Sequence, residues 1–85
     1  MLKIIDDFNL KGLEKLGYFK NENYNYLKYL VDKPYYLDCI QIDINTRIIT
    51  RHIKELGSPE IQCKKVHLGF IHDLIESKIV EKVEE

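Results

Sequence analysis

Ile40, Ile42 and Ile44 alternate with Gln41 and Asp43, a period of two that marks a strand with one face toward a core. Residues 35–44 form the clearest strand of the chain, and two more flank it. In 24–31, Tyr24, Tyr26, Lys28 and Leu30 share one face, while Leu27, Tyr29 and Val31 share the other. In 47–54, Ile49 and Ile53 lie opposite Ile48, Thr50 and His52. Asp32-Lys33-Pro34 separates the first two strands, because proline fixes its φ and lacks an amide donor. Asn45-Thr46 suits a tight turn before the third. The pattern predicts three strands in meander order.

On either side of the meander the spacing changes. Leu10, Leu13 and Leu16 predict a short N-terminal helix ending at Leu16. Asp7 or Asn9 can accept a hydrogen bond from an amide at its start, and Gly17 suits the left-handed position past its end. Gly12 costs this helix about 1 kcal/mol relative to Ala, so tertiary contacts must hold it. Residues 2–5 fit either a strand or a first helical turn. Downstream, Val66, Phe70, Ile71, Leu74, Ile75 and Ile79 recur at helical spacing and predict a helix reaching about Val83. Two readings meet before it. Ser58 caps a helix that has Pro59 at its first position, or 61–63 is a short strand and the helix begins near Lys64; the second is preferred. A helical stripe needs a surface to bury it, and a sheet needs one face covered. The expected class is therefore α+β: a short N-terminal helix, a three- to four-stranded antiparallel meander sheet and a C-terminal helix packed on one sheet face. At 85 residues the chain has room for a single small domain, 1–85.

The run Leu13-Glu14-Lys15-Leu16-Gly17-Tyr18, within 8–18, resembles the opening of small uncharacterised proteins from phages and prophages of low-GC Gram-positive bacteria. In that group a Leu-Gly-Tyr turn follows a short helix, and three strands and a helix over the sheet come next. The resemblance implies a mobile-element origin and brings no activity with it; some small phage proteins act by binding host proteins.

Composition narrows the function. The formal net charge is -1, whereas non-specific nucleic-acid binders advertise an excess of Lys and Arg. The C-terminal stretch sets Asp73, Glu76, Glu81, Glu84 and Glu85 against Lys78 and Lys82, which repels phosphate. Nucleic acid is demoted as a partner, and only a local patch of Lys28, Arg47, Arg51, Lys64 and Lys65 would sustain it. Asp6 and Asp7 interrupt any apolar leader, and no apolar run reaches membrane-spanning length, so a cytoplasmic protein away from the membrane is expected. In that setting Cys39 and Cys63 are expected as thiols.

Candidate chemistry is sparse. Cys63 and His67, four apart, could share a helix face as metal ligands or as a nucleophile and base, with His72 or His52 in support. Structural zinc needs four ligands at tight spacing, and no Cys-x-x-Cys pair exists here. Cys39 reads as a packing residue. Asp38 and Asp43 are five apart on one strand and face opposite ways, so they make no acid–base pair. No phosphate loop or calcium loop is present. No cofactor, metal or catalytic residue is therefore expected.

The aromatic residues say more. Six tyrosines and three phenylalanines are many for this length; they either fill out a small core or leave part of the sheet surface for a partner. Tyrosine combines apolar area with a hydroxyl and suits contact surfaces. The favoured expectation is a non-catalytic accessory protein that binds another protein or itself as a homodimer. Its contact surface would comprise Tyr24, Tyr26, Tyr29, Tyr35, Leu37, Ile49 and Arg51. The alternative is a nucleic-acid-associated protein using the basic patch, with a Cys/His enzyme or metal site behind both.

Overall fold

The computed structural model describes residues 1–21 and 25–83. Its strands are β1 (Leu2–Ile4), β2 (Phe19–Lys20), β3 (Asn25–Lys33), β4 (Tyr36–Asp43), β5 (Ile48–Glu55), β6 (Gln62–Lys65) and β7 (Val80–Lys82). A 3-10 helix spans Leu10–Leu16, a shorter one Leu68–Phe70, and the α-helix α1 only His72–Glu76. All strand pairs are antiparallel, and the order is β2-β3-β4-β5-β1-β7. β6 joins the same edge of β5 that β1 uses. β1 pairs with Ile48 and Ile49, and β6 with the stretch from Thr50 to Ile53.

This seven-stranded antiparallel sheet replaces the expected α+β arrangement. The meander of β3, β4 and β5 lies where the period-two pattern puts it, but the expected helices do not form as such. Leu10, Leu13 and Leu16 are spaced by three, which is the repeat of a 3-10 helix and not of an α-helix. Leu13 is fully buried, and Leu10 and Leu16 pack beside it. The Asn9 side chain accepts from the Lys11 amide, and Gly17 closes the helix at φ 91°. A Cβ at Gly12 would meet the tip of the Phe8 ring at 2.6 Å, so that ring would have to shift.

The long C-terminal helix breaks into three pieces. Residues from Gln62 pair with β5 as a strand, in line with the preferred reading of 61–63. Only Ile71 and Leu74 of the helical stripe are buried from the 3-10 turn and α1, while Phe70 and Ile75 stay exposed. Lys78 then turns the chain at φ 58°. Ile79 reaches the core, and Val80–Lys82 pair with β1. The unsatisfied amides and carbonyls of β1 gain partners from β7, which a continued helix could not give.

The core lies on one face of the sheet. Ile4, Tyr26, Ile40, Ile42 and Ile49 form its floor, and Leu13, Tyr18, Ile71, Leu74 and Ile79 cover it. Two charged contacts sit at its margin. Arg51 grips the buried Asp38 through two hydrogen bonds, Nε to Oδ1 at 2.9 Å and Nη2 to Oδ2, and its guanidinium lies 4.4 Å from the Phe70 ring centre. Lys28 Nζ bonds Asp73 Oδ2 at 2.9 Å and the Leu16 carbonyl at 3.2 Å, tying β3 to α1 and to the first 3-10 helix. The Tyr18 hydroxyl is buried with no partner among the described residues. Burial, with Asp73 adding to it, pushes its phenol pKa well up.

Candidate functional site

Strand alternation sends half of the meander side chains away from the core. Leu27, Tyr29, Leu37, Cys39, Gln41, His52 and Lys54, with Ile61, line a shallow depression on that second face. They come only from β3, β4, β5 and the segment entering β6. Cross-strand pairing explains the grouping. Tyr29 opposes Cys39, Cys39 opposes His52, and Phe19 on β2 opposes Leu27. The rings of Phe19 and Tyr29 stand 5.8 Å apart and are 44% and 41% exposed, and Ile61 is 60% exposed. Leu27 and Cys39 are buried beneath this rim. The result is an apolar patch on a sheet face lined by strands alone.

The expected contact residues divide between the two faces. Tyr29 and Leu37 lie on the open face. Tyr35 is exposed at the β3–β4 hairpin, where Lys33 Nζ lies 5.9 Å from its ring centre. Tyr26 and Ile49 are in the core, 4% and 2% exposed, and offer no surface. Period two placed them correctly within their strands, but only the position of the covering elements decides which face is buried. Arg51 belongs to the core side through Asp38 and Phe70. Tyr24 lies outside the described residues. Phe19 and Ile61 join the patch without having been expected there, since their strands are too short to show a period. For Phe19 the only sequence signal is an aromatic ring just past the Gly17 turn.

Of the expected basic patch, Arg51 and Lys64 are direct cross-strand partners, but three of its cations are engaged within the fold. Lys28 is held by Asp73, and Arg51 by Asp38. Arg47 donates from Nη1 to the carbonyls of Ile5 at 2.8 Å and Phe8 at 2.7 Å. These three cations brace the fold from separate places. Lys64 is exposed on β6, and the side chain of Lys65 lies outside the description.

Cys63 and His67 do not share a helix, because Cys63 is in β6 and His67 precedes the second 3-10 turn. Cys63 Sγ lies instead 3.8 Å from Nε2 of His52, its cross-strand partner. Thr50 Oγ1 approaches the same nitrogen at 2.9 Å. A nucleophile–base device needs a third group on the other ring nitrogen to orient the base, and among the described residues Nδ1 has none. Burial lowers the His52 pKa and raises that of the Cys39 thiol, so both favour their neutral forms. Among the described residues no group of three His, Cys, Asp or Glu side chains is placed to hold a metal ion. Both cysteines are free.

A second concavity lies where β1 and β6 meet along one edge of β5. This cleft of about 430 Å³ is lined by residues of β1, β5, β6 and β7 and by the 66–68 segment, Cys63 and His67 among them.

No family model, curated protein or solved structure matches this chain. The resemblance to phage and prophage proteins accordingly rests on the 13–18 run and the element pattern alone, and the pattern differs at both expected helices. Among the described residues no helix is long and apolar enough to cross a membrane.

Proposed function

We propose that this chain is a non-catalytic binding module that associates through the open face of the β3–β4–β5 meander, with a second copy of itself as the partner. The observation that carries this reading is the patch of Phe19, Tyr29, Leu37 and Ile61 on a face lined by strands alone. Face-to-face packing of two sheets is a standard way to bury such a surface. Charge favours a like partner. Among the described residues that line the depression, Lys54 is the only Lys, Arg, Asp or Glu, and burial lowers the His52 pKa, favouring the neutral ring. Two copies stacked about a two-fold axis therefore oppose little like charge. Free Cys39 and Cys63 accord with a reducing, cytoplasmic setting. The 13–18 resemblance supports an accessory role in a phage or prophage. The nucleic-acid alternative has less support, because Lys28, Arg47 and Arg51 are already engaged within the fold.

Light scattering across a dilution series tests the reading. The expected result is twice the chain mass at high concentration, falling to one chain on dilution. Tyr29→Glu sets a charge in the middle of the patch and should shift the midpoint to at least tenfold higher concentration. A single-chain mass at every concentration would overturn the reading.

A further inference from the structure

We propose that the cleft at the fork of β5 binds a free single-chain fatty acid, with its tail on the apolar floor and its carboxylate between Lys64 and Lys82. The fold creates the cleft by dividing one strand edge between two partners. β1 takes Ile48 and Ile49, β6 takes the next four residues, and the cleft lies against the junction of the two. Leu2, Val66 and Leu68 supply apolar walls, with the buried Ile49 beneath them. Leu68 is 59% exposed, so an apolar chain laid beside it would remove it from water.

The charge on the rim is of one sign. Lys64 and Lys82 line the cleft, and among the described residues no Asp or Glu does. Among the described residues neither lysine has a salt-bridge partner, whereas neighbouring Glu81 is paired with Lys3 at 3.4 Å. An uncharged apolar ligand would leave the two cations unused, and a small inorganic anion would leave the floor wet. An amphipathic anion satisfies both. At about 430 Å³ the cleft sits toward the lower end of the roughly 300–1,000 Å³ typical of small-ligand sites. That size suits one acyl chain better than two, which points to a free fatty acid and not to a membrane phospholipid.

The test is an amide NMR titration of the full chain with decanoate, kept below its micelle concentration. Saturable shifts are expected at Ile49, Val66 and Leu68. Decanol, with the same tail and no charge, should bind at least tenfold more weakly. Lys64→Glu combined with Lys82→Glu should weaken decanoate binding tenfold or more while the rest of the spectrum stays in place. If charge reversal disturbs the fold, Lys64→Gln with Lys82→Gln reads the same loss. Three results would overturn the proposal: no saturable shift, equal binding of decanol and decanoate, or a response confined to phospholipid vesicles.

Discussion

Arg51 faces the core side of β5 at a position where an aliphatic residue would continue the Ile49 and Ile53 series. It is accommodated because Asp38, 3% exposed, sits diagonally across on β4 and takes both of its hydrogen bonds. Truncating one member of such a pair leaves the other buried and uncompensated. Arg51→Ala should therefore cost about 3 kcal/mol in chemical denaturation. Replacing both with leucine should cost much less, since no orphan charge remains. His52 gives a pH signature. Burial lowers its folded pKa below the unfolded value of about 6.5, so in that window the unfolded chain binds more protons. Stability should fall as pH drops below about 6.5, and His52→Gln should flatten that slope in denaturation curves taken at several pH values. Neither role could be read from the sequence. Arg51 looked like surface because nothing local reveals a carboxylate thirteen residues away, and His52 showed only its strand face.

The short elements were the hardest to read. The meander was legible because each strand is eight or nine residues long, enough to display alternation. β1 and β7 have three residues each and β2 only two. They exist because a neighbouring edge supplies hydrogen bonds, and periodicity cannot announce that. The apolar run from Val66 to Ile79 misled for a related reason. Its members serve a cleft wall, a 3-10 turn, a single turn of α-helix and the approach to β7, yet their spacing imitates one stripe. In the Leu10–Leu16 helix the three-residue spacing was present from the start and meant 3-10 geometry. Its end depends on Gly17 at φ 91°, where the left-handed backbone disfavours a Cβ. Gly17→Ala should lower stability by about 1 kcal/mol, measurable as a shift in the urea midpoint at unchanged slope.

At the scale of the whole molecule the two faces of the sheet are unequal. One is closed by Leu13, Tyr18, Ile71, Leu74 and Ile79, and the other presents Phe19, Tyr29, Leu37 and Ile61 around a shallow depression. The many aromatic residues hinted at this from the sequence, and of the expected contact residues Tyr29 and Leu37 lie on the open face. Tyr26 and Ile49 lie in the core instead, because the covering segments come from distant parts of the chain. The proposed dimer joins two copies through this open face. Its most direct test is an isotope-filtered NOE experiment on a mixture of labelled and unlabelled chains, which reports only contacts between copies. The account predicts cross-chain signals from Tyr29, Leu37, Phe19 and Ile61. Cross-chain signals confined to other surfaces, or none at a concentration where light scattering shows a dimer, would contradict it.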